Sequence, residues 1–285
     1  MAPNHLSDVD IPRSPREVTS HPWFEKLARF GFVAKGVVYS VVGLLAAQTA
    51  LGSGGKTTGS SGALETIVNQ PFGKFFLAII GIGLIGYVLW RFVQAVLDPE
   101  HKGRNSNSDI KRIIQRVGYS FSAIAYTGLA FTALQLVLGS GGGDNKNSTQ
   151  DWTAKVLSQP FGQWLVGIGG VLVIGLGFSY IYRAYKAKFR RRFKLAQMSY
   201  RERKWLVHIG KFGIAARGIV FVIIGIFLIQ AARNSDASKA KGLGGALSSL
   251  AQQPFGSWIL GVVAFGLVAY GIFSILKARY RRFQT

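Results

Sequence analysis

The chain has 285 residues, with 34 Lys and Arg against 12 Asp and Glu and a formal net charge of +22 at pH 7. Charged residues make up only 16% of it, below the roughly 25% of an ordinary soluble domain, so the basic residues must be segregated from long uncharged stretches. The absence of Cys excludes a disulfide framework, Cys-ligated zinc, iron–sulfur clusters and thiol catalysis.

Residues 1–22 carry Pro3, Pro12, Pro15 and Pro22 with mixed charges and no apolar signal-peptide core, and read as a disordered tail. Six apolar windows follow: Phe30–Leu51, Phe72–Leu97, Val117–Leu138, Phe161–Tyr182, Phe212–Ala232 and Phe255–Leu276. Each reaches the length of about 20 residues that a helix needs to cross the hydrocarbon core. They have almost no polar face, whereas the helices of a soluble bundle need one. The expected fold is therefore an all-α integral membrane protein with six transmembrane helices. The glycine clusters Gly52–Gly55 and Gly139–Gly143 precede no Gly-Lys-Ser/Thr and read as flexible linkers.

Charge sets the expected orientation. The tail, the 98–116 and 183–211 loops and the C-terminus share one side and hold 24 basic residues, against 7 in the other three loops. Lys and Arg favour the cytoplasmic side of short loops, which places both termini in the cytoplasm. Trp23, Trp90 and Trp205 then fall near the inner interface and Trp152, Trp164 and Trp258 near the outer one, levels that indole prefers.

The most specific feature is internal repetition. Gln-Pro-Phe-Gly occurs at Gln70–Gly73, Gln159–Gly162 and Gln253–Gly256. Arg29-Phe-Gly31, Arg116-Val-Gly118 and Lys211-Phe-Gly213 open the odd-numbered spans; Gln48, Gln135 and Gln230 come seventeen residues after those glycines, and Tyr39, Tyr126 and Phe221 also align. Repeats are thus expected over 23–98, 111–190 and 205–281. Each holds two spans, so successive repeats enter the membrane in the same direction, and a pseudo-threefold bundle is the natural arrangement. The outer-loop segments that end at Gln70, Gln159 and Gln253 have the pattern of short amphipathic helices lying in the interface. Pro71, Pro160 and Pro254 are expected to stop them and to start the next span, where a proline without an N–H costs nothing.

Charges inside spans are the first candidates for function, being costly there. Lys35 and Arg217 occupy one aligned position, with Ser122 in the second repeat. Two readings stand: a basic collar that attracts an anion or lipid phosphate, or side chains that snorkel to the cytoplasmic headgroups, as Arg91 would also do. Gln48, Gln135 and Gln230 are either interhelical glue or a ring around a polar pathway. The even-numbered spans are rich in glycine, which predicts close helix contact. The run Lys186, Lys188, Arg190, Arg191, Arg192 and Lys194 points to anionic lipid at the inner leaflet rather than to nucleic acid. No span contains Asp or Glu, and no nucleophile–base set, HExxH or Walker sequence is present, so no catalytic residue, metal or cofactor is expected.

The span openings at 29–39 and 211–221 and the triple Gln-Pro-Phe-Gly make residues 23–281 resemble the bacterial membrane family catalogued as Domain of Unknown Function 1206. The resemblance implies three tandem two-span repeats and a bacterial inner membrane, and implies no activity. The second repeat departs most, with Ser122-Ala123 where the others have a basic residue and Gly. The expected function is non-enzymatic association with a membrane protein partner or with anionic lipid. The alternative is a transporter or channel for a small or amphipathic anion along the pseudo-threefold axis.

Overall fold

The computed structural model describes residues 22–96, 109–140, 148–187, 189, 190, 193 and 198–280. The expected tail, apart from Pro22, lies outside the described residues. All regular structure among them is helical apart from an isolated bridge at Phe193. The helices are α1 (Pro22–Ala50), α2 (Ser60–Val68), α3 (Gly73–Val96), α4 (Asp109–Leu138), α5 (Ser148–Leu157), α6 (Gly162–Tyr185), α7 (Tyr200–Asn234), α8 (Leu243–Ala251) and α9 (Gly256–Tyr280), with a 3-10 turn at Ala237–Lys239. Six of these, α1, α3, α4, α6, α7 and α9, are long and apolar enough to cross a membrane. The odd-numbered spans start well before their apolar windows, because polar sequence such as 200–211 continues the same helix. Ser199 caps α7 there, its hydroxyl accepting from the Glu202 N–H while the Glu202 carboxylate accepts from the Ser199 N–H.

Each long helix of even rank along the chain begins in the same turn. The carbonyls of Gln70, Gln159 and Gln253 accept from the N–H of Gly73, Gly162 and Gly256 at 2.8, 2.9 and 2.7 Å. Proline takes the second position of this turn rather than the first turn of the helix, which opens at the glycine. Phe72, Phe161 and Phe255 take the third with φ of 59°, 62° and 59°, a left-handed conformation that costs a bulky residue about 1 kcal/mol or more. Any Cβ on the following glycine would run into carbonyls of the preceding short helix, which explains why Gly is invariant among the three copies. The opposite helix ends also match. Gly52 and Gly139 end α1 and α4 with positive φ, and Ser53 and Ser140 donate back to the carbonyls of Gln48 and Gln135. Past the end of α7, Asp236 accepts hydrogen bonds from Ser238, which hold its carboxyl below the usual carboxylate range.

The long helices pair most extensively as α6 with α7 and α1 with α9, then α3 with α4; α1–α3 and α7–α9 contacts are lighter. Glycine explains the first two. A Cβ on Gly36 would stand 2.7 Å from the Gly271 carbonyl oxygen, and one on Gly218 would stand 2.8 Å from that of Gly177. Such reciprocal approach brings backbones together, which in lipid replaces the hydrophobic effect as the source of helix association. Arginine ties the ends. Arg29 donates to the carbonyls of Ala278 and Arg279 at the end of α9, and Arg116 donates to those of Ala95 and Val96 at the end of α3. The start of α1 and the end of α9 therefore lie on one face of the bundle, called here the terminal face.

The short helices α2 and α8 are pinned by Ala63 and Leu64, and by Ala246 and Leu247, all fully buried; the second-repeat counterparts are an exposed Trp152 and a buried Thr153. The α1–α9 glycine contact makes a direct prediction. Gly271→Ala should lower the thermal midpoint in detergent, by the equivalent of about 1–3 kcal/mol of overpacking, whereas Gly169→Ala, with nothing within 4 Å, should not lower it. Equal effects of the two substitutions would contradict this account of packing.

Candidate functional site

Lys35 and Arg217 do not snorkel. Lys35 is 1% exposed and Arg217 6%, and both point into the bundle onto tyrosine rings. The Lys35 ammonium donates to the Tyr87 hydroxyl at 2.8 Å. It stands 4.6, 5.0, 5.4 and 5.9 Å from the ring centres of Tyr87, Tyr126, Tyr270 and Tyr39. Arg217 donates to the Tyr270 hydroxyl, and its guanidinium carbon lies 4.7–5.1 Å from the rings of Tyr270, Phe221, Tyr39 and Tyr180. A cation over an aromatic face is attracted by the ring quadrupole, by about 2 kcal/mol or more when desolvated.

Arg91 completes the cluster from α3. It is half-buried, donates through Nε to the Tyr87 hydroxyl at 2.7 Å and through Nη1 to the Gln94 carboxamide oxygen at 3.0 Å, and its guanidinium carbon lies 5.2 Å from the Tyr119 ring centre. Tyr87 thus accepts from two cations at once. Both its lone pairs are used, which leaves its own proton to donate elsewhere. The rings also pack on each other, Tyr39 against Tyr270 at 4.9 Å and Tyr87 against Tyr126 at 4.6 Å between centres, edge to face.

Three positive charges therefore share one tyrosine-lined space, and the six apolar windows around it contain no Asp or Glu. Two polar atoms are left over. Arg217 Nε and Ser274 Oγ are buried without a hydrogen-bond partner, Ser274 one turn beyond Tyr270 on α9. What this arrangement can do chemically is receive negative charge: it offers guanidinium, ammonium and hydroxyl donors in a desolvated setting, where each counts for more than in water.

The sequence reading placed Lys35, Ser122 and Arg217 together, and Ser122 is half-buried on α4 at the same register. It missed Tyr87, Tyr180 and Tyr270. A signal for two of these was present. Tyr87 and Tyr270 both stand fourteen residues after the glycine of Gln-Pro-Phe-Gly, and the second repeat has Leu176 there. Where the base is lost, as Ser122, its tyrosine is lost with it. The glutamines lie elsewhere. Gln48 and Gln230 are exposed and Gln135 is half-buried, at helix ends thirteen residues past the cluster, or about 20 Å along the axis.

Of the polybasic run, Lys186 and Arg190 are exposed, while Lys188, Arg191, Arg192 and Lys194 lie outside the described residues. The interleaved Phe189 and Phe193 are buried against Phe273, with centres 5.0 and 5.7 Å away, so these two rings sit toward the terminal face. Five tryptophans are exposed, whereas Trp90 is 4% exposed, packed inside the bundle.

Six apolar helices and three copies of one two-span unit define a multi-pass membrane protein of tandem repeats. The chain belongs to the family described as Domain of Unknown Function (DUF1206), which matches residues 30–98, 117–187 and 212–281. It is also 41% identical, over 260 residues covering 91% of this chain and 92% of the relative, to the uncharacterized protein YxxB of Bacillus subtilis (strain 168). No solved structure matches it.

The cluster predicts an asymmetry between two conservative changes. Tyr87→Phe keeps the ring but removes the acceptor shared by Lys35 and Arg91, and should destabilise the protein by about 3 kcal/mol in tryptophan-monitored unfolding. Ser122→Ala should cost under about 1 kcal/mol. A Tyr87→Phe protein as stable as the parent would show that the hydroxyl does not carry these cations.

Proposed function

We propose that this chain is a non-enzymatic protein of the bacterial inner membrane, with both termini cytoplasmic, that acts by association. It receives the anionic group of a membrane lipid or membrane partner at the cluster of Lys35, Arg91 and Arg217. The observation that carries this reading is a cluster of three cations, two of them almost wholly buried, within apolar windows that contain no carboxylate. Holding like charges together in a desolvated interior costs several kcal/mol, which an anion received among them would offset. Tyrosine rings and hydroxyls offset part of that cost and leave the positive charge in place for a ligand.

The surroundings fit the reading. The pairs α1–α9, α3–α4 and α6–α7 each join the second helix of one repeat to the first helix of the next, the order a pseudo-threefold bundle would have. Under the 24-to-7 division of basic residues, the terminal face is cytoplasmic, and Lys186 and Arg190 stand there for anionic headgroups. The short helices α2, α5 and α8 then lie at the outer interface, with Phe72, Phe161 and Phe255 about 80% exposed beside them.

Anion passage along the threefold axis is the second reading, favoured by Lys35 and Arg217 at one register. The edge-to-face tyrosines at that level fit binding without passage better.

Purification in mild detergent from cells rich in acidic phospholipid tests the first reading. The parent protein should retain acidic phospholipid or a membrane protein, and the double variant Lys35→Met/Arg217→Met should retain about fivefold less. Equal retention by the two would sink it. Anion flux in liposomes carried by the parent and abolished in the double variant would favour passage instead. Reporter fusions at both termini should report a cytoplasmic location.

A further inference from the structure

The three repeats differ in how their two long helices meet. In the first, Gly31 lies against the backbone of Tyr87, where a Cβ would stand 2.5 Å from its nitrogen, and Gly83 lies against Ala34. In the third, Gly213 lies against the backbone of Tyr270 in the same way, and Gly266 against Ala216. The aligned residues of the second repeat are Gly118, Leu176, Phe121 and Leu172. A Cβ on Gly118 would meet only the tip of Leu176, at 3.8 Å. Phe121 and Leu172, where the other repeats have small residues in contact, are 51% and 56% exposed. Accordingly α4 and α6 are not a packed pair, unlike α1–α3 and α7–α9.

This seam leads to the cluster. Tyr126 and Tyr119 come from α4, and Tyr180 comes from α6. Ser122, short and uncharged, is half-buried on α4 at the position that aligns with Lys35 and Arg217.

We propose that the seam between α4 and α6 is a lateral port through which the headgroup of an acidic phospholipid reaches Arg217, Lys35 and Arg91. This rests on the anion-binding reading above and gives it a ligand and a route. The charge fits a phosphate: three donors of positive charge, no carboxylate in the apolar windows, and a buried Arg217 Nε without a partner. The lips fit acyl chains rather than a water-soluble anion, since Phe121 and Leu172 present apolar surface to the bilayer. The second repeat lacks the base and the tyrosine together, and has no counterpart to the close backbone approach at Gly31–Tyr87 and Gly213–Tyr270. Near Gly118 the neighbour is the tip of Leu176, a side chain that can rotate.

The natural absence of Cys gives a clean test. Gly118→Cys/Leu176→Cys introduces the only two thiols, which a short bis-methanethiosulfonate bridges and a reductant releases. The probes are micelles doped with phosphatidylglycerol, with phosphatidylcholine, or with neither but with inorganic phosphate, and bound ligand is read by native mass spectrometry. The unbridged protein should bind phosphatidylglycerol, and bridging before loading should cut binding by about fivefold, reversibly. Bridging after loading should trap the lipid. Phosphatidylcholine and inorganic phosphate should not be retained. Undiminished loading of the bridged protein, or expulsion of preloaded lipid on bridging, overturns the port but leaves the anion site standing. Preference for inorganic phosphate overturns the lipid. A co-purifying protein that shields the two thiols makes the seam a protein interface and overturns the port. Undiminished phosphatidylglycerol binding by Lys35→Met/Arg217→Met overturns the anion-binding reading itself.

Discussion

A helix surrounded by hydrocarbon gains nothing by hiding apolar surface, so its specific neighbours are chosen by how closely two backbones can approach. The rest of this molecule follows from that constraint. Gly36 with Gly271 and Gly177 with Gly218 draw α1 to α9 and α6 to α7 until carbonyls face glycines across the gap. Only at that separation do Tyr270 of α9 and Tyr39 of α1 come edge to face, and only then can Lys35 and Arg217 share the same rings. Close packing and the polar centre are parts of one arrangement.

The centre solves an electrostatic problem in an unusual way. Buried cations in proteins are ordinarily met by carboxylates. Here the counter-charge is distributed over ring faces and phenolic oxygens. A quadrupole and a hydroxyl dipole stabilise a cation without cancelling its charge, so the potential at the cluster remains positive. A carboxylate in the place of Tyr87 would hold Lys35 and Arg91 as firmly and would leave nothing for a ligand.

Much of this was legible in the sequence. The six spans and the three repeats followed from hydropathy and from Gln-Pro-Phe-Gly, because span length and turn geometry are local properties. The glycine contacts followed from composition. The inward aim of Lys35 and Arg217 did not follow, because a basic residue a turn and a half into a helix reaches the headgroups or the bundle equally well, and only the neighbours decide. Those neighbours, Tyr87 and Tyr270, lie more than fifty residues away and could be found only by comparing the repeats for joint loss, as with Ser122 and Leu176. The role of proline was misplaced by two residues. The left-handed Phe between it and the glycine completes a turn, and the helix cannot begin until that turn is made.

The pairing of α1 with α9 also orders the birth of the molecule. Of the six spans described, the first carries Lys35 and the Gly36 face, and its principal neighbour is the sixth. Tyr87 is made before Tyr270 and can shelter the ammonium in part, but the matching Gly271 comes only with α9. Until α9 is made, α1 has a charge and an unfilled glycine groove. A chain that stops short of α9 leaves that face of α1 open.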